Sequence, residues 1–96
     1  MAMALDWSKL PPALAWVAAP AERYGHYQFD EPILAFLRGA TPAELDDLRA
    51  VQRRWIADHS AIEAWLDENN MTLHREAQRV YFTQVLLGMA DEAGML

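Results

Sequence analysis

The hydrophobic positions of residues 41–70 recur with the period of an α-helix. Placed at 100° per residue, the centre of this apolar stripe spans about 40°. The stripe consists of Leu48, Trp55, Ile62 and Leu66, flanked by Leu45, Val51 and Ile56. Most charged side chains fall outside it, so the pattern predicts an amphipathic helix with one buried face.

The beginning of this helix is marked by a capping sequence. Thr41 can accept the first free backbone N–H groups, Pro42 suits the first helical position, and Glu44 completes a Thr-x-x-Glu capping box. Residues 60–63 (SAIE) form a second pattern of this kind and indicate a break at Ser60. Because the stripe stays in phase across that position, we expect one long helix near 41–68, continuous or slightly kinked.

Two shorter helices are predicted before it. The first runs over about 8–19, beginning near Ser8 or at the Pro11-Pro12 pair, and Pro20 ends or kinks it. Residues 22–29 (ERYGHYQF) lack a period and indicate a packed loop.

The second short helix is predicted over 31–38. Asp30 is its expected cap, and Gly39 is its expected left-handed stop. Four large apolar side chains make this helix part of the core: Ile33, Leu34, Phe36 and Leu37.

The last helix is predicted over 72–90, with Thr72 as its cap. It carries two apolar faces, one of Leu73, Ala77, Val80, Tyr81 and Leu87, and one of Phe82, Leu86, Met89 and Ala93. A helix that is apolar on both sides is central in a small bundle or is shared with another chain. The run VYFTQVLL also has strand character, but only residues 24–29 offer a weak second strand, so a helix is favoured.

These segments predict an all-α fold in which residues 1–96 form a single small bundle of about four helices, since 96 residues suit one core. The chain has no cysteine, which excludes disulfides and thiolate chemistry. Its net charge of −6 argues against nucleic-acid binding. No apolar run approaches the roughly 20 residues of a membrane span, and no basic region precedes the apolar N-terminal residues. We therefore expect a cytoplasmic protein without a membrane or nucleic-acid partner, and its richness in Ala and Arg indicates bacterial coding.

Three residues invite a metal or acid–base interpretation. His59 and Glu63 stand four apart on one helical face, and His74 could fold back towards them. Such a pair is common by chance, and His59 falls inside the apolar stripe, so a core histidine hydrogen-bonded to a neighbour is favoured. Gln52 and Gln84, also on apolar faces, are candidate partners for it. We expect no metal, no other cofactor and no catalytic residue, and thus no enzyme.

Residues 23–27 (RYGHY) combine a cation, two phenols and an imidazole, as a small-ligand loop would. The simpler interpretation, that their aromatic rings plug the core while their polar tips reach water, is favoured. Likewise, Arg49, Arg53 and Arg54 form a basic patch that Asp46 and Asp47 can neutralise at helical spacing.

The least compensated charge lies in residues 58–68, because no Lys or Arg occurs between Arg54 and Arg75. On the helical wheel, Trp65 lies at the edge of the apolar stripe, beside these acids. An aromatic anchor bordered by carboxylates is typical of interaction surfaces, although a tryptophan completing the core is the simpler interpretation. The predicted partner-binding residues are Asp58, Glu63, Trp65, Asp67 and Glu68.

The sequence supports three functional hypotheses. The first is a small acidic protein-binding module, such as an immunity or inhibitor protein that occludes a basic partner. The second is a homodimeric structural or regulatory subunit whose interface is Phe82, Leu86 and Met89. The third is a metal-dependent enzyme using His59, Glu63 and His74.

Overall fold

A computed structural model describes residues 5–70 and 74–96, and within them the chain is helical with no strand. Among the described residues, two 3₁₀ helices, Trp7–Lys9 and Pro12–Val17, precede five α-helices. These are α1 Ala18–Tyr24, α2 Asp30–Gly39, α3 Pro42–Ala57, α4 His59–Glu68 and α5 Arg75–Glu92. The predicted all-α class is confirmed, and VYFTQVLL lies inside α5 as a helix.

The first helix, predicted over 8–19, ends later than expected. A 3₁₀ helix begins at Pro12 and continues directly into α1, which contains Pro20 and ends at Tyr24. Pro20 is tolerated because it lies in the first turn of α1, where a backbone N–H has no partner within the α-helix. Residues 22–24 of the expected loop therefore form the last turn of α1.

Helix α2 begins and ends within one residue of its predicted limits, but Gly39 is not the left-handed stop that we expected. It is the last helical residue, and Ala40 ends the helix in extended backbone at φ −63° and ψ 133°. Positive φ angles occur at Asn70 (46°) and Gly94 (77°) among the described residues. Asparagine is one of the few residues with a side chain that adopts this conformation readily.

The capping box at the start of α3 is confirmed. The hydroxyl of Thr41 accepts the backbone N–H of Glu44 at 3.2 Å, and the Glu44 carboxylate accepts the N–H of Thr41 at 2.9 Å. Two of the otherwise unpaired donors at this helix end are thereby satisfied.

The long helix expected near 41–68 is interrupted at Asp58, which leaves helical geometry with φ −106° and ψ 13°. Ser60, where a break was considered, lies inside α4. The Nε1–H of Trp16 donates to Asp58 Oδ2 at 2.8 Å, so a tertiary hydrogen bond holds the side chain at the break. The hydrophobic periodicity of residues 41–70 could not reveal this break, because Trp16 lies outside that segment.

The buried stripe survives this interruption. Leu48, Trp55, Ile62 and Leu66 are buried, while Leu45 and Val51 are half-buried. Ile56, expected to flank the stripe, is instead 65% exposed.

Helix α5 is the central element, since α1, α2 and α4 all pack against it. Its buried residues extend over most of its length and both predicted faces: Glu76, Ala77, Val80, Thr83, Leu86, Leu87 and Ala90. Two-sided apolar character therefore reflects a central position within this chain. The expected cap Thr72 and face residue Leu73 lie outside the described residues.

The end of α1 lies close against the backbone of α5 at Gly25. A Cβ atom at Gly25 would lie 2.3 Å from the carbonyl oxygen of Arg79 and 2.5 Å from that of Ala21. Both obstacles are backbone atoms, which cannot move aside as a flexible side chain does. A residue without a side chain is therefore required there.

We predict that Gly25→Ala destabilises the fold by about 2–3 kcal/mol, because the added methyl group must push α1 away from α5. Gly88→Ala is the matched control, since nothing lies within 4 Å of its added Cβ and alanine favours the helix interior. That control should gain about 0.5–1 kcal/mol in urea unfolding. Equal stability of the Gly25 variant and the wild type would contradict the close approach.

Candidate functional site

The tryptophan of the predicted acidic surface lies in the core. Trp65 is 5% exposed, and its indole N–H donates to the carbonyl oxygen of Lys9 at 3.3 Å. It therefore ties α4 to the N-terminal segment, and the prediction of an aromatic anchor at this position is wrong. A tryptophan that completes the core, the simpler interpretation of the sequence, is the observed arrangement.

Two of the predicted acidic residues already have partners within the fold. Asp58 accepts the hydrogen bond of Trp16, and Glu63 accepts one from Gln84 Nε2 at 3.1 Å. Asp67 and Glu68 remain exposed, and neither makes an ion pair within the described part of the chain. The predicted surface is reduced to these two carboxylates.

A polar chain joins α3, α4 and α5. The Nε1–H of Trp55 donates to Gln84 Oε1 at 3.3 Å, Gln84 donates to Glu63, and Glu63 Oε1 lies 3.1 Å from His59 Nε2. Gln84 satisfies Trp55 and Glu63, not the histidine that we expected. Of the four residues joined by these polar contacts, His59 is the one whose side chain is more than half exposed.

His59 is not the core histidine that we expected. Its side chain is 55% exposed, because the residue stands at the start of α4, directly after the interruption at Asp58. Gln52, expected to be its partner, is half-buried on α3.

The structure places His74, the third candidate metal ligand, away from the other two. His74 Nδ1 lies 3.3 Å from Lys9 Nζ and does not join His59 and Glu63. Across residues 5–70 and 74–96, no group of three His, Asp or Glu side chains is arranged to hold a metal ion. The trio on which this hypothesis rests is not brought together.

Residues 23–27 contribute mainly packing. Tyr24 is buried and its hydroxyl donates to Asp47, while Arg23 Nη1 lies 2.5 Å from the same carboxylate. Burial, reinforced by the hydrogen bond to Asp47, raises the pKa of Tyr24 to about 12. The phenol is therefore a neutral donor that joins α1 to α3.

The rest of this segment forms an aromatic stack. The ring centroids of His26 and Tyr27 are 4.2 Å apart, and those of Tyr27 and Phe36 are 4.9 Å apart. Tyr27 and Phe36 pack against the core, as the simpler interpretation predicted, whereas His26 is exposed.

The arginines of α3 do not share the two aspartates as expected. Arg49 forms an ion pair with Asp46 at 3.1 Å, but Asp47 forms its ion pair with Arg23 of α1. The guanidinium of Arg54 lies 4.8 Å from the ring centroid of Trp16. Arg53 makes no ion pair with any described residue, so the basic patch is only partly compensated.

The structure exposes an aromatic side chain that the periodicity did not single out. Phe29, immediately before α2, is 70% exposed, and Leu34 in α2 is 40% exposed. Asp30 and Glu31 lie between them in sequence and are also exposed. We call these four residues the Phe29 surface. The only sequence signal for it was an aromatic residue next to a helix cap.

One of the three residues of the predicted dimer interface, Leu86, is not accessible. Leu86 is fully buried within the chain and cannot contact a second copy, while Phe82 and Met89 are half-buried. The fourth residue of this apolar stripe, Ala93, is exposed, so the chain's own helices cover the stripe only in part.

Comparison with protein-family models, curated proteins and solved structures finds no match to this chain. Within the described residues, no helix combines the length and the apolar character needed to cross a membrane. A functional proposal therefore depends on the surfaces themselves.

We predict that Gln84→Leu destabilises the fold by about 1–3 kcal/mol, because it leaves the indole N–H of buried Trp55 without an acceptor. Adding Trp55→Phe should cost less in the Gln84→Leu background than in the wild type. Gln28→Leu, at an exposed position, is the control and should change stability by no more than about 0.5 kcal/mol. Strictly additive effects in this double-mutant cycle, measured by urea unfolding, would show that the hydrogen bond contributes nothing.

Proposed function

We propose that this chain is a small acidic binding module that covers a basic surface of a protein partner, as a bacterial immunity or inhibitor protein does. The observation that carries the proposal is the Phe29 surface, an exposed aromatic side chain bordered by two carboxylates. The net charge of −6 agrees with a basic partner.

The Phe29 surface combines both elements of a binding site. Leu34 lies four residues after Asp30 and three after Glu31, so these side chains are neighbours on one side of α2. Neither carboxylate makes an ion pair with a described residue. Both remain available for the Lys or Arg side chains of a partner.

Each element would contribute differently to binding. Burying Phe29 and Leu34 against a partner removes apolar area from water and supplies affinity. Asp30 and Glu31 attract a basic surface and fix its orientation. Asp67 and Glu68 on α4 form a second unpaired acidic site, which would add long-range attraction without an aromatic anchor.

The proposal is tested by placing a photo-crosslinking phenylalanine analogue at position 29 in cells of the native host. We expect a crosslink to a protein with a basic contact surface. The same analogue at exposed Ala50 in α3 is the control and should not capture this protein. Capture from both positions, or of no protein from position 29, would contradict the proposal.

For the captured partner, Phe29→Ala should weaken binding by at least about tenfold, the ΔΔG of 1.4 kcal/mol typical of an anchor residue. Ile56→Ala, a change at another exposed apolar residue, should leave binding unchanged. Asp30→Asn with Glu31→Gln should reduce the salt dependence of the association rate. Affinity that is indifferent to Phe29 would assign the interface to another surface.

A further inference from the structure

A groove of about 340 Å³ lies between α3 and the C-terminal end of the described chain. We call it the α3 groove. It is lined by Arg49, Gln52, Arg53, Ile56, Asp91 and Leu96. None of these residues belongs to the Phe29 surface, and none is Asp67 or Glu68 of α4.

Two arginines give the groove its charge. Arg49 and Arg53 stand four residues apart, so they are neighbours on one side of α3. Arg53 makes no ion pair with a described residue, and the partner of Arg49 is Asp46, whose side chain is 78% exposed. An exposed pair of this kind is weak, so both guanidinium groups are available to a bound anion.

Apolar side chains lie beside this charge. Ile56, three residues after Arg53, leaves most of its surface in water although its helix buries other large apolar residues. Leu96 is half-buried and packs at the edge of the core. In a chain with a net charge of −6, a concave site with two arginines and two aliphatic side chains is a local exception.

We infer that the α3 groove binds a small organic carboxylate with an aliphatic or aromatic body. Each guanidinium offers a planar pair of donors that matches a carboxylate. Ile56 and Leu96 would cover the body of the ligand and remove it from water. The carboxylate side chain of Asp91 in the lining disfavours a ligand with a second negative charge, so a monoanion fits best.

Octanoate is a suitable probe of this chemistry. In an NMR titration of the full chain, the side-chain signals of Arg53, Ile56 and Leu96 should shift saturably with octanoate. Octanol, which keeps the body and lacks the charge, should bind at least about tenfold more weakly, and so should octylamine. Acetate, which keeps the charge and lacks the body, should also be weaker.

Variants distinguish a specific site from general attraction of anions. Arg53→Gln and Ile56→Ser should each weaken octanoate binding at least about tenfold, whereas Arg38→Gln, an equal charge change on α2, should not. Ile56→Ser and Arg53→Gln replace exposed residues, so the variants remain folded and the comparison stays interpretable.

Three results would overturn the inference: equal binding of octanol and octanoate, binding that is indifferent to Arg53→Gln, or an equal loss with Arg38→Gln. Phe29→Ala should leave octanoate binding unchanged. Failure of this inference and failure of the proposed function are therefore separate outcomes.

Discussion

The contact of Gly25 with the backbone of α5 is the constraint on which the rest of the fold depends. Because Gly25 has no side chain, the end of α1 lies directly against the Arg79 carbonyl, and α1 packs more extensively against α5 than any other helix does. Next to this contact, Tyr24 is buried and donates to Asp47 on α3. This hydrogen bond links α1 to α3.

The four tryptophans pack in or against the core, and their indole N–H groups also form hydrogen bonds between distant segments of the chain. Each indole N–H donates to an acceptor between 15 and 56 residues away in sequence: Trp7 to Glu22, Trp16 to Asp58, Trp55 to Gln84, and Trp65 to the Lys9 carbonyl. Buried tryptophans ordinarily have such partners, since an unpaired N–H in the interior is costly. Two acidic side chains, Asp58 and Glu22, are occupied in this way. These two carboxylates therefore have structural roles, whereas the acidic side chains at the beginning of α2, the end of α4 and the end of α5 make no ion pair with a described residue.

Local patterns in the sequence identified the helical class, the capping box at Thr41 and the buried centre of the apolar stripe, because each depends on residues within one or two helical turns. They did not identify the interruption at Asp58, the exposure of His59 or the hydrogen bond that Trp65 makes with the N-terminal segment. Those features depend on partners elsewhere in the chain, such as Trp16 and Lys9, and helical periodicity contains no information about them. The candidate site shows the same limit. The sequence analysis sought an aromatic residue beside carboxylates at Trp65, but the aromatic residue that the fold leaves exposed is Phe29.

Native-state hydrogen exchange tests most directly whether α5 is the helix on which the others depend. The buried part of α5 around Val80–Leu87 should exchange only through global unfolding, with a free energy equal to that from urea unfolding. The last turn of α1 should exchange with it, since the two are in backbone contact at Gly25. The first turn of α2, which carries the Phe29 surface, should exchange through local opening at a lower free energy. Exchange of the α5 amides at a lower free energy than those of α3 would contradict this account.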